Sequence, residues 1–195
     1  MPLIIMVGIP CSGKSTRARE ISNYLQNEKQ MDVQIVNEES LGLSKPAYLS
    51  DPTQEKILRA SLKSNVEKNL DQSRVVILDS MNYIKGYRYE LYCLARNSMT
   101  TLCLVYCDTS KDIARQWCEQ MQHEEAKGDQ VAPAFPIDLF DDYASRMEFP
   151  NPAKRWDQPL FHLRADEPIP FEEIHAAISD TAKNKPKDPV STKPE

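Results

Sequence analysis

Glycine is scarce in this chain: its 195 residues hold five, too few for a Gly-rich low-complexity polymer, and two of them, Gly8 and Gly13, lie in one short segment. Cysteine occurs at 11, 93, 103, 107 and 118, odd in number and without a C-x-x-C pair. That excludes a disulfide framework and a zinc ribbon, so the thiols read as reduced packing groups. Long apolar runs are missing as well. Leu3 to Val7 and Val75 to Leu78 are typical, against the roughly 20 residues that a membrane helix needs. A basic excess is absent: 24 Lys and Arg face 29 Asp and Glu, for a net charge of -5. A whole-surface nucleic-acid clamp is thereby excluded, and any nucleic acid must be held by a local patch or by another chain. Met1 to Val7 has no basic n-region and no small-residue cleavage site, so it does not read as a signal peptide and the expected setting is intracellular. The length suffices for one domain that buries roughly 70% of its unfolded surface without staples.

Five apolar runs alternate with helical patterns. Leu3 to Val7 reads as a strand, Gly8 to Gly13 as a loop, and Lys14 to about Lys29, with Ala18, Ile21 and Leu25 at spacings of three and four, as a helix. Val33 to Val36 is a second strand, ending in Asn37, Glu38, Glu39 and Ser40. Asp51, Pro52 and Gln54 predict a helix start, and Leu58, Leu62, Val66 and Leu70 form one ridge along the helix that follows. Val75 to Leu78 is a buried strand ending at Asp79, and Tyr87 to Arg96 a helix. Thr101 to Tyr106 is a fourth strand, followed by a helix to about Gln122 and a polar, turn-rich stretch from His123 to Pro136. Pro136 to Met147 is a helix, Leu160 to Leu163 the fifth strand, and Pro170 to about Ala182 the last helix. The pattern predicts an α/β fold: three layers, with a five-stranded parallel sheet between helices. Residues 1–182 form the domain, a helical lid at about 115–152 covers the ligand, and 183–195, rich in Lys, Pro, Asp, Ser and Thr, reads as a linker or disordered tail.

The chemistry is concentrated in Gly8-Ile9-Pro10-Cys11-Ser12-Gly13-Lys14-Ser15, which matches G-x-x-x-x-G-K-[ST] between a strand and a helix. Backbone N–H groups from Ile9 to Thr16 can wrap phosphates, because glycine permits close approach and a helix N-terminus favours anions. Lys14 reaches the β and γ phosphates, and the Ser15 hydroxyl is the expected Mg²⁺ ligand. Cys11 reads as loop filling. Asp79, at the end of an apolar strand, suits a Walker-B carboxylate that orients the water shell of Mg²⁺. Glu38 and Glu39, beyond the carboxyl end of the second strand, would face the γ phosphate, and either could be the base. Arg115, Arg146 and Arg155 are the cationic lid candidates.

The block Ser80-Met81-Asn82-Tyr83-Ile84-Lys85-Gly86-Tyr87-Arg88-Tyr89-Glu90-Leu91-Tyr92-Cys93 after Asp79 resembles one shared by the killer-toxin-insensitivity ATPase family that associates with Elongator and by its relative, the L-seryl-tRNA(Sec) kinase. The opening Met-Pro-Leu with the phosphate loop, the segment Asn37 to Gly42, and Arg155-Trp156-Asp157-Gln158-Pro159-Leu160-Phe161 are more similar to the Elongator-linked family. The resemblance covers about residues 1–180. It departs at Met147 and Phe149, where the family has Tyr and Glu in Arg-Tyr-Glu-Glu-Pro, and at Glu38, where the family has Asp.

This resemblance implies a kinase-like P-loop ATPase that takes ATP and Mg²⁺, binds tRNA and assists Elongator in modifying the wobble uridine of tRNA, in the cytoplasm with access to the nucleus. It selects Arg146 among the lid arginines and makes Lys85, Arg88 and Arg155 candidate contacts to tRNA phosphate. It also implies a C-terminal tRNA-binding region beyond a variable linker, within which this chain would end. Adenine is expected from the resemblance, and no Asn-Lys-x-Asp guanine motif opposes it. The rival expectation is a kinase that passes the γ-phosphoryl group to a hydroxyl on aminoacyl-tRNA or a small molecule, since the same cradle serves both reactions.

Overall fold

The computed structural model describes residues 2–43, 49, 51–70, 73–128 and 134–179. Five strands, β1 (Leu3–Val7), β2 (Val33–Val36), β3 (Val75–Leu78), β4 (Leu102–Asp108) and β5 (Leu160–Arg164), pair in the order β2-β3-β1-β4-β5, every pair parallel. A parallel sheet covered on both faces has no polar side, which is why β1 and β3 are apolar at every position and wholly buried. Alternate residues of β1 serve opposite faces. Leu3, Ile5 and Val7 join Leu58, Leu62, Leu91 and Phe140 on one side, while Ile4 and Met6 join Ala18, Ile21, Leu25 and Ile174 on the other.

The helices are α1 (Lys14–Asn27), α2 (Pro52–Leu70), α3 (Lys85–Asn97), α4 (Lys111–Lys127), α5 (Ile137–Ser145) and α6 (Phe171–Ser179). Helices α1 and α6 cover one face and α2, α3, α4 and α5 the other. The expected three-layer arrangement is therefore present. Asp51 caps α2 by accepting from the Thr53 N–H at 2.9 Å, and Ser110 caps α4 by accepting from Ile113. Helix α4 runs five residues past Gln122, where a polar turn was expected to begin. His123 to Lys127 contains strong helix formers, and the stop is Gly128, which takes the left-handed conformation at φ 78° and donates to the carbonyls of Glu124 and Glu125. Helices α4 and α5 both fall in the segment expected to form a lid, of which 129–133 lies outside the described residues. So do the expected tail, 183–195, and the last turn expected of the final helix. No helix among the described residues is long and apolar enough to cross a membrane.

A charged pair ties the sheet's carboxyl edge to the segment before β5. Arg88 and Asp157 are 0% and 1% exposed, with Arg88 Nε donating to Asp157 at 2.9 Å and Nη1 to the Asn82 carbonyl at 2.9 Å. Asp157 also accepts from the Asn151 N–H. Arg88 was expected on the surface as a tRNA contact. The structure corrects this: the side chain points from α3 into the interior, where an acidic partner and a carbonyl satisfy it. Removing one member of such a pair strands a buried charge. Asp157→Ala is expected to cost about 3–5 kcal/mol in urea unfolding, whereas the double change Arg88→Met with Asp157→Leu recovers most of that loss; equal losses in both proteins would show that the charge pairing is not what the fold uses.

Candidate active site

The register pairs Ile5 of β1 with Leu78 of β3, which sets the phosphate loop and Asp79 side by side at the carboxyl edge. Ligands of open parallel sheets lie there, beyond the strand ends. The loop's shape follows from its glycines. A Cβ on Gly8 would stand 2.5 Å from Ser12 Oγ and 3.0 Å from the Cys107 carbonyl oxygen, so only glycine lets the loop fold over β1. Gly13 is left-handed at φ 86° and immediately precedes α1. Cys11 is also left-handed, at φ 57°. Left-handed residues among ordinary ones turn successive N–H groups inward, which makes a concave anion cradle at the start of a 14-residue helix. Thr109 Oγ1 holds the loop from β4 by donating to the Ser12 carbonyl at 3.0 Å.

Lys14 is buried within this cradle. Its Nζ donates to the Ile9 carbonyl at 2.6 Å and lies 3.4 Å from Ser12 Oγ. Burial pushes the ammonium below its ordinary value of 10.5, opposed by Asp79, then Cys107, Cys11 and Glu38. Asp79 is 5% exposed. Ser80 donates to Glu38 at 2.7 Å, which turns that carboxylate toward the Asp79 loop. The sequence left the choice between the two glutamates open; Glu38 lies on the cavity wall, whereas Glu39 is exposed on the short 3₁₀ helix Glu39–Leu41.

One cavity of about 660 Å³ gathers Pro10 to Thr16, Glu38 and Asp79. Several of its residues carry no motif. Arg17 donates to the carbonyls of Arg164, Ala165 and Glu167, fixing the turn Ala165–Ile169 against α1. Trp117 of α4 faces Gly13 at the mouth. Glu55 and Arg59 of α2 enter from the opposite side with Tyr83 and Tyr143. A signal for Glu55 existed in the sequence: the ridge Leu58, Leu62, Val66 and Leu70, continued one turn toward the N-terminus, meets a carboxylate, and Glu55 is indeed buried with those residues.

The three lid arginines are dispersed. Arg146 is closest to the cavity, its guanidinium on Glu55 at 3.3 Å and over the Tyr143 ring at 4.1 Å. Arg115 pairs with Asp141 and Glu119 on the exposed side of α4, and Arg155 is exposed on the turn Arg155–Asp157. Lys85 is exposed at the start of α3, where its backbone N–H donates to Glu148. None of the five cysteines is in a disulfide; burial pushes the Cys103 thiol up to about 12 and that of Cys107 up to about 11, as befits packing groups.

The family model described as chromatin associated protein KTI12 matches residues 1–195. The chain belongs to the KTI12 family. It is 43% identical over 178 residues to a KTI12 homolog of Xenopus laevis and 38% identical over 194 residues to one of Danio rerio. It is covered to 91% and 100% in these matches and spans 62% and 68% of those relatives' lengths. Among solved structures, Chaetomium thermophilum Kti12 in complex with ADP-AlF3 is 35% identical with a TM-score of 0.80, over 91% of this chain and 99% of that one. The Mycobacterium tuberculosis APS kinase CysC, solved with AMPPNP and APS, has a TM-score of 0.64 at 16% identity over 92% of this chain and 96% of its own. That likeness establishes the fold alone, a P-loop kinase-like α/β architecture.

The cradle can be tested with inorganic tripolyphosphate, which needs no base-binding residue. A bound polyanion favours the charged form of Lys14, so the complex holds a proton that the free protein loses as pH rises through the lowered Lys14 pKa. Affinity relative to that of Lys14→Met should therefore be level near neutrality and begin falling below pH 10.5, the ordinary lysine value. Taking that ratio at each pH removes the titration of the phosphate itself. A ratio that stays level past the ordinary lysine range would place the ammonium outside the cradle.

Proposed function

We propose that this KTI12 domain binds and hydrolyses ATP with Mg²⁺, and that its turnover is coupled to tRNA in the service of Elongator-dependent modification of the wobble uridine. The observation that carries the nucleotide chemistry is the phosphate cradle sharing one cavity with Lys14, Asp79 and Glu38. It is supported by the 35% identity to a Kti12 solved with ADP-AlF3, a combination of nucleotide and planar fluoride that suits a site for phosphoryl transfer. The donors fit the metal: the Ser15 hydroxyl and Asp79 carboxylate are hard oxygen ligands that both line the cavity, and Mg²⁺ favours one or two protein oxygens together with phosphate and water.

Each residue then has a physical task. Lys14 places a positive charge on the terminal phosphates, and the N–H groups of the loop hold the polyphosphate in register. Asp79 and Ser15 would hold Mg²⁺, which neutralises charge developing on the phosphoryl group. Glu38, steadied by Ser80, is the carboxylate placed to orient and deprotonate a nucleophile. The turn Ala165–Ile169, held by Arg17, offers backbone and apolar groups for a base on the far side of the cradle.

Elongator and tRNA enter through the resemblance. Lys85 and Arg155 are the exposed cations proposed to meet tRNA phosphate, a contact that positions without selecting sequence; a C-terminal region following this domain would supply the main tRNA surface. A cytoplasmic protein with a nuclear pool fits the family's description as chromatin associated.

Phosphate release with Mg²⁺, measured with and without tRNA on this chain and on one extended past residue 195, tests the proposal. Lys14→Ala should lower hydrolysis by roughly 100-fold or more, the scale for removing one electrostatic donor from a transition state. Asp79→Ala should reduce turnover more than nucleotide affinity. Unchanged turnover in both variants would remove the site assignment. Labelled γ-phosphate appearing on aminoacyl-tRNA instead of in solution would turn the reading into that of a kinase.

A further inference from the structure

Helices cover both faces of a parallel sheet as a rule, and one corner of this sheet is bare. A cleft of about 440 Å³ opens over β4 and β5 on the face that α2 to α5 cover elsewhere. Its floor follows from the register: Tyr106 pairs with His162, with Leu160 two residues back along β5 and Asp108 two residues on along β4. Phe149, Pro150 and Pro152 make the wall, so no lining residue belongs to a helix. Phe149 is 66% exposed, more than any other aromatic ring among the described residues, and stands edge-to-face with Tyr106 at 6.2 Å.

With histidine counted neutral, Asp108 is the one formal charge among the lining residues. Its side chain is 39% exposed. His162 Nε2 lies 2.6 Å from Oδ2, and the Tyr106 hydroxyl donates to Oδ1 at 3.4 Å. A carboxylate accepts about four hydrogen bonds, so a cation can still be received. Rings and prolines beside a carboxylate suit an extended, proline-containing segment with lysine or arginine, because polyproline II docks at little cost in entropy.

This chain carries such a segment. Residues 183–193 hold Lys183, Lys185, Lys187 and Lys193 against Asp188 alone, with Pro186 and Pro189 three apart. Polyproline II has three residues per turn, which would set both prolines on one side. The segment also begins within reach. Thr101 Oγ1 donates to the Ile178 carbonyl at 2.8 Å, so α6 ends beside the start of β4, and Tyr106 is roughly 17 Å further along that strand at about 3.3 Å per residue. Extended chain spans about 3.3 Å per residue, so Pro186 and Pro189 can stand roughly 23 Å and 33 Å from Ser179. That suffices to pass round β5, the outermost strand.

We propose that residues 183–193 dock in this cleft, Pro186 and Pro189 against Phe149 and the wall prolines and a lysine on Asp108. The docking does not depend on the nucleotide reading. Asp108 adjoins Thr109, which holds the phosphate loop, so chain continuing past the segment is led from the amino edge of the sheet to its carboxyl edge, beside the cradle.

Amide shifts of the segment are read by NMR in the 195-residue chain and in a synthetic peptide of residues 180–195. Shifts of Lys185, Lys187, Asp188 and Val190 that differ between the two are expected. Phe149→Ser and Asp108→Asn should each remove at least half of that difference, with unchanged β1 amides showing that the domain is folded. Pro186→Ser with Pro189→Ser, which leaves the cleft itself intact, should move the amides of Phe149 and His162. Coincident shifts in chain and peptide would overturn the proposal, as would a difference that neither cleft variant reduces. Shifts that revert to those of the peptide on tenfold dilution would place the segment on a second copy and overturn docking within the chain.

Discussion

The side-chain amide of Asn82 lies beneath the loop that follows β3, donating to the Met6 carbonyl at 2.6 Å with the carbonyls of Leu78 and Ser80 within 3.4 Å and 3.2 Å. It reaches these groups because its backbone is left-handed, at φ 48°, a conformation that asparagine tolerates better than most residues. The same turn exposes its carbonyl to Arg88 and places the Met81 carbonyl where the Gly8 N–H donates to it. The two chain reversals that build the site, the phosphate loop after β1 and the Asp79 loop after β3, are thus bonded to each other through buried groups. Arg88 and Asp157 anchor that joint from behind. A buried ion pair contributes little net stability, yet losing one partner is expensive; its value here lies in fixing where Asp79 and Ser80 stand relative to the loop.

With the strand ends fixed, the electrostatics follow. Lys14 is held in a desolvated position that disfavours its charge, next to Asp79 and Glu38, which favour it. A cation kept in place before its ligand arrives costs little reorganisation when a polyphosphate enters, which is the condition for strong electrostatic stabilisation in a site sheltered from water. The opposite half of the cavity repeats the device with different chemistry. There Glu55 draws two arginines and a tyrosine hydroxyl to one buried carboxylate, so α2, which bears Glu55, and the end of α5, which bears Tyr143 and is followed by Arg146, are joined to each other.

Much of this was legible in the chain because it depends on local rules. The phosphate loop is a short motif whose strand and helix are its immediate neighbours, and the boundaries of β2 and β3 coincide with their apolar runs. The start of α2 is fixed by Asp51 and Pro52 together. What was not legible depends on partners far along the chain. Arg88 reads as an exposed helix-start charge until the fold brings Asp157, 69 residues away, into its path. Arg17 carries no motif, and its part in the site shows only when the carbonyls of Arg164 and Glu167, about 150 residues away, accept from it. Nothing local to Arg146 shows that Glu55, 91 residues before it, receives its guanidinium.

The choice between Glu38 and Glu39 shows how little separates the two kinds of knowledge. Both follow the carboxyl end of β2, both are carboxylates, and their order in the chain does not distinguish them. The distinction comes from the backbone: Asn37 and Ser40 bond each other's main chain, with the Ser40 N–H donating to Asn37 Oδ1 at 2.8 Å and the Asn37 N–H to Ser40 Oγ at 3.1 Å. This reciprocal pair closes a tight turn around the two glutamates. The turn places Glu39 in the exposed 3₁₀ helix and leaves Glu38 at its N-cap, facing Ser80. Asn37 and Ser40 are therefore the residues that decide which carboxylate meets the cavity, although neither lines it. Ser80 completes that choice, since its hydroxyl donates to Glu38 and holds the long side chain to one orientation.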